Sequence, residues 1–120
     1  MNQLRNSVQL IGRLGQDPTL RRFDSGKQLA TFSLATSESY QNAQGERITD
    51  TQWHQVVAWG KLADIATRYL RKGREVMVAG KLTYRSYQDQ QGQTRSKAEI
   101  HAHSLLLLGA KSSAQTTPNP

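Results

Sequence analysis

The sequence predicts a mainly-β fold, a small barrel of five strands with one helix between the third and fourth. Three observations carry this. Runs of β-branched, aliphatic and aromatic residues alternate with polar ones at a period of two, a single segment shows the helical period, and turn residues punctuate the chain at short intervals. The chain has 120 residues, enough for one domain whose core needs no covalent staples. It contains no cysteine, which excludes a disulfide framework and any thiolate metal site.

The first strand runs from about residue 6 to residue 14 and holds Val8, Leu10 and Ile11. Gly15-Gln16-Asp17-Pro18 ends it, because Pro18 donates no hydrogen bond and disfavours helix before it. A short segment over 20–23 meets the turn Asp24-Ser25-Gly26. Residues 29–36 form the next strand, with Ala30, Phe32 and Leu34 alternating against Thr31, Ser33 and Ala35. A polar stretch over 37–50 reads as a long loop with its tip at 42–45. Residues 51–59 are β-branched and aromatic, as strands prefer. By alternation Trp53, Gln55, Val57 and Trp59 share one face of that strand, and His54, Val56 and Ala58 the other.

Residues 61–72 carry the helical stripe: Leu62, Ile65, Ala66, Tyr69 and Leu70 fall on one side. Arg71 and Lys72 suit the negative end of the helix dipole, and Gly73 suits the position just past its end. Strands over 74–84 and 95–108 follow, separated by a turn at 89–93. This order is that of an OB-type barrel. An open sandwich is the alternative, which a lone helix late in the chain fits less well. From Gly109 onward the Ser, Thr, Gln, Pro and Asn composition predicts a short disordered tail. The expected organisation is a domain over 1–109 and a tail over 110–120.

Lysine and arginine outnumber aspartate and glutamate 16 to 9, a formal net charge of +7. Such a balance fits either a polyanionic partner, whose phosphates the field concentrates, or a well-solvated basic surface. The first residues lack the apolar core of a signal peptide, and no apolar run approaches the roughly 20 residues of a membrane helix. The expectation is a soluble, intracellular protein with no membrane partner.

Four rings stand among polar neighbours at strand-like positions: Tyr40, Trp53, Trp59 and Tyr87. Flat rings on a cationic surface stack exposed bases of single-stranded nucleic acid at roughly 1–3 kcal/mol per base, whatever the sequence. Core packing is the alternative for any one ring, since Trp is well buried on average. It fits all four together less well. Arg13, Arg21, Lys61, Arg71, Lys72, Arg85 and Arg95 lie nearest the rings or at barrel loops and are the candidate phosphate contacts. Solvated surface is the alternative for each.

Glu99, His101 and His103 alternate, so one strand face presents a carboxylate and two imidazoles, the number of protein ligands in an open zinc site. No other nearby carboxylate is dedicated as a general base, so ordinary outward-facing polar residues are the preferred reading, and no cofactor or dedicated metal site is expected. A P-loop is excluded: Gly12-x-x-Gly15 lacks the Lys-Ser/Thr pair and the helix that should follow. Neither paired catalytic carboxylates nor a Ser/His/Asp set stands out, so an enzyme is not expected.

Gly12-Arg13-Leu14-Gly15-Gln16-Asp17-Pro18 and Leu34-Ala35-Thr36-Ser37-Glu38-Ser39-Tyr40 resemble the bacterial single-stranded DNA-binding protein family. So do Thr51-Gln52-Trp53-His54, Gly60-Lys61-Leu62-Ala63 and Tyr69-Leu70-Arg71-Lys72-Gly73. The resemblance covers about residues 4–109. It implies an OB-fold homotetramer that binds and protects single-stranded DNA in replication, recombination and repair, in the cytoplasm at the nucleoid. It also implies base stacking by Tyr40, Trp53, Trp59 and Tyr87, backbone contacts by Lys61 and Lys72, and a subunit contact at His54. Gln55 and Ser86 stand where relatives often carry a cation. Family members usually end in an acidic tip that recruits replication and repair enzymes, whereas this sequence ends in neutral residues, which puts that recruitment in doubt. The alternatives are a dimeric replication-restart accessory of the same fold and a metal-dependent nuclease using Glu99, His101 and His103.

Overall fold

The computed structural model describes residues 5–108. The strands are β1 (Val8–Leu14), β2 (Thr19–Arg22), β3 (Gln28–Gln41), β4 (Arg47–Trp59), β5 (Glu75–Gln88) and β6 (Thr94–Leu107), with α1 (Lys61–Tyr69) between β4 and β5. The sheet order is β1-β5-β6-β4-β3-β2, and a further β1–β3 pairing closes it, Leu14 opposite Leu34. Five strands therefore make a closed barrel, and β2 extends it as a short flap paired only with β3. All pairings are antiparallel except β4 with β6, which meet in parallel at Val56–Ile100 and Val57–His101. The predicted five-strand barrel with one helix stands, and the short segment over 20–23 is a strand one residue earlier.

Alternation selects the core. Ala30, Phe32 and Leu34 of β3, Val56 and Ala58 of β4, and Val76 and Val78 of β5 point inward and are buried. Helix α1 seals one end with Ala63 and Ala66, and Leu70 follows them into the core. The sequence predicts helix to residue 72, yet it ends at Tyr69. Leu70 is extended (φ −94°, ψ 140°), which is how its side chain enters the core. Burying a Leu yields about 1.5–3 kcal/mol, more than another turn of marginal helix would. Arg71 Nη1 then donates to the Thr67 and Leu70 carbonyls at 2.7 Å, covering the helix end. Gly73 accordingly lies in the turn beyond, where its N–H donates to the Leu14 carbonyl.

The larger difference concerns residues 37–50. They are the outer halves of β3 and β4, paired without interruption from Leu29–Trp59 to Gln41–Arg47. The ribbon stands clear of the core, so neither face needs apolar residues and the hydrophobic signal of a strand is missing. Hydroxyl pairs hold it instead, Ser37 with Thr51 and Ser39 with Thr49. At its tip the Asn42 side chain accepts from the N–H groups of Gln44 and Glu46, and Gly45 takes the positive φ the turn requires. A second arm forms where β5 and β6 run on as far as Gln88–Thr94. Its tip is organised in the same way around Asp89 and Gly92.

Candidate nucleic-acid interface

An open groove of about 870 Å³ crosses the outer face of the barrel. Its floor is Leu29 and Thr31 of β3 with Gln55 and Val57 of β4. Val57 is buried but lies outside the core cluster, as expected for a residue facing a groove rather than the interior. Trp59 stands at the edge, and Arg21, Lys81 and Arg85 supply positive charge. The alternation read along β4 is thus observed: Gln55, Val57 and Trp59 line the groove while Val56 and Ala58 face the core.

None of the four candidate rings fills the core. Tyr40, Trp53, Trp59 and Tyr87 are 55%, 62%, 43% and 41% exposed. Trp59 is held by a partner, since the Phe23 ring stacks beside it at 6.1 Å between centroids and 21° between planes. The Arg21 guanidinium lies 5.3 Å from the centre of the Phe23 ring, so cation and ring pair form one platform. Trp53 lies over Gly15: an added Cβ at that glycine would come within 2.6 Å of the indole ring. Tyr87 shares the outer face of β5 with Thr83 and Arg85 by alternation. Tyr40 pairs with Ile48, whereas Trp53 pairs with Ala35, so unbroken alternation sends these two rings to opposite faces of the ribbon.

The candidate cations divide. Arg21 and Arg85 line the groove. Arg85 Nε donates to Glu99 Oε2 at 3.0 Å, and Glu99 is only 8% exposed. An ion pair this open on the arginine side contributes at most about 1 kcal/mol. Its larger effect is orientation, because it engages Nε. Arg95 pairs with Asp89 at 2.9 Å on the β5–β6 tip. That pairing is the first cause, ahead of the Gln93 and Gln91 N–H groups, of an Asp89 carboxyl held below the ordinary carboxylate range. Arg13 donates to the Gly73 carbonyl, and Arg71 covers the end of α1. Lys61 and Lys72 are exposed, one opening α1 and the other just beyond it, with the Lys72 N–H donating to Asp17 Oδ1. These last four, with Arg95, lie outside the groove lining. His54 is half-buried at the barrel rim, its Nε2 2.9 Å from Thr36 Oγ1.

A model of the single-strand binding protein family matches residues 5–108, the whole described span. The chain belongs to the single-strand binding protein family. A Chlorobaculum tepidum relative named single-stranded DNA-binding protein 1 is 45% identical over 113 residues, which are 93% of this chain and 70% of that protein. Single-stranded DNA-binding proteins from two Neisseria meningitidis serogroups, A and B, are 41% identical over 106 residues. That match covers 88% of this chain but only 61% of each of those proteins. Among solved structures, a Plasmodium falciparum SSB complex with ssDNA matches at a TM-score of 0.78 and 35% identity, over 87% of this chain and 95% of that one.

Within this family member, sequence reasoning overlooked four groove or platform residues. Lys81 and Tyr84 line the groove, Tyr84 as a widely exposed ring. The sequence marks Phe23 only as the end of a short segment and His101 only as one of an alternating carboxylate and imidazole set. The outward parity of Lys81 with Arg85 was a usable signal; nothing local announces that Phe23 meets Trp59. The alternating set of Glu99, His101 and His103 does not converge. Glu99 and His101 face the groove, but the β5–β6 register shifts between Ala79 and Gly80, and His103 bonds Ser104 instead. Among the described residues no three His, Asp or Glu side chains gather as a metal site. No described helix is long and apolar enough to cross a membrane. The tail over 110–120 and its neutral end lie outside the described residues.

Proposed function

We propose that this chain binds single-stranded DNA without catalysis and with little regard to sequence, covering exposed strands in replication, recombination and repair. The observation that carries this is a cationic groove lined by the exposed rings of Trp59 and Tyr84, with Trp53 and Tyr87 exposed outside its lining, on a barrel of the single-strand binding family. Bases stack on Trp59, Trp53 and Tyr87, and Arg21 and Arg85 draw the phosphates. Tyr40 takes a base only where the strand passes round the β3–β4 ribbon, since its ring leaves the far face. Arg13, Lys61, Arg71, Lys72 and Arg95 serve the strand beyond the groove. One OB unit engages about 4–16 nucleotides. Because the unpaired form is bound preferentially, hairpins in the DNA are removed by mass action.

The assembly proposed is a homotetramer, with His54 at a subunit contact. An outward apolar row supports assembly: Ile11 of β1 pairs with Met77 of β5, which pairs with Leu106 of β6. Ile11 and Leu106 are more than half exposed in the single chain, and an apolar row of this kind fits a protein surface better than water.

Titration of tryptophan fluorescence with oligo-dT and with duplex DNA tests the function. Strong quenching by the single strand alone is expected, with affinity falling on a log–log salt plot by about 0.7 per phosphate contacted. Equal quenching by duplex, or no response to salt, would refute the stacking groove.

A further inference from the structure

Resting on the reading above, we infer that His101 is a further contact of the groove for the DNA backbone, and that binding there takes up a proton on its imidazole.

His101 is half-buried in the groove wall, on the stretch of β6 that lies between β4 and β5. Register sets it opposite Val57 on one side and Lys81 on the other, both groove residues. Its Nε2 lies 3.4 Å from Glu99 Oε1, a long contact for a hydrogen bond, while Arg85 holds the other Glu99 oxygen at 3.0 Å. The charged and titratable groups around the imidazole are few. Glu99 lies on its own strand, Lys81, Tyr84 and Arg85 on β5, and Arg21 on β2 across the groove. The adjoining part of β4 offers Gln55 and Val57, which do not titrate.

Three cations thus face one carboxylate in the free groove. A neutral imidazole has one donor and one acceptor, a poor match for phosphate; the imidazolium donates from both nitrogens. Phosphates drawn in by Arg21, Lys81 and Arg85 bring negative charge beside the ring and favour the imidazolium. Glu99 remains within reach of Nε2 to share it. The coupling is reciprocal: if DNA favours the proton, the proton favours DNA by the same factor. Histidine is the side chain type whose ordinary charge change falls between about pH 5 and 8, which sets the range to measure.

The experiment is the fluorescence titration with oligo-dT at fixed salt from pH 8 to pH 6, a range in which thymine does not titrate. Affinity should rise roughly threefold to tenfold over that range, within the limit of tenfold per pH unit for one proton. H101Q should flatten the profile by losing the gain at low pH, and H101V, a good strand former, serves if H101Q does not fold. H103Q, beyond the register shift, should keep the parent profile. Calorimetry of the unaltered chain at pH 7, in two buffers of different ionisation heat, should register proton uptake on binding. Binding with a flat profile, no proton uptake, or a profile that survives H101Q overturns the inference and leaves the proposed function standing. Failure to bind oligo-dT at any pH overturns both.

Discussion

At the scale of single residues, rings outweigh ions in this groove. A stacked base is worth roughly 1–3 kcal/mol, whereas an exposed ion pair gives about 0–1 kcal/mol. Trp53→Ala should therefore weaken oligo-dT binding by roughly 1–3 kcal/mol. Its exposure means the melting temperature should hardly move, because no core contact is lost. Unchanged affinity would take Trp53 out of the site. The sequence disclosed Trp53 and Trp59 through strand parity, because alternation is a local property of the chain. It could not disclose Phe23. That ring gains its place only when β2 pairs with β3 and β3 with β4, bringing it beside Trp59.

At the scale of elements, two arms and one tight approach shape the surface. Gly15 leaves room for the Trp53 ring directly after β1. Gly15→Val should push the indole aside and weaken oligo-dT binding about as much as Trp53→Ala, roughly 1–3 kcal/mol. The fold should survive, since the clash is with the outer end of an exposed side chain; near-parent affinity would show that the ring's seat is irrelevant. The β5–β6 tip depends on Asp89, whose carboxylate accepts from Arg95 and from the Gln91 and Gln93 N–H groups. Its pKa is lowered in the folded chain, first by the Arg95 hydrogen bond. Its contribution is therefore complete above the unfolded value of about 3.9 and disappears as pH falls through the lower folded one. Side-chain NMR should show Asp89 titrating below about 3.9, with amide protection at Gln91 and Gln93 lost in the same step. Titration at or above that value would contradict this account of the tip. The polar composition of 37–50 hid the first arm, because a ribbon wet on both faces carries no hydrophobic period.

At the scale of the whole molecule, closure of β1 on β3 makes the barrel and leaves two outward features, the cationic groove and the Ile11–Met77–Leu106 row. Sedimentation of the parent chain should give the mass of a tetramer; a dimer mass would favour the accessory alternative. Leu106→Glu puts a charge at one end of the apolar row, on its most exposed side chain, and should shift that mass toward smaller species. An unchanged tetramer would exclude this face from the assembly. The sequence by itself determined the barrel class, the single helix, the inward set of apolar residues and the basic character, because period, turn chemistry and charge are written locally. Only the tertiary structure decided which cations line the groove, that Tyr40 and Trp53 leave opposite faces of their ribbon, and that Glu99 and His101 face the groove while His103 does not. Those outcomes depend on cross-strand register and on a shift within it, which no local stretch of residues specifies.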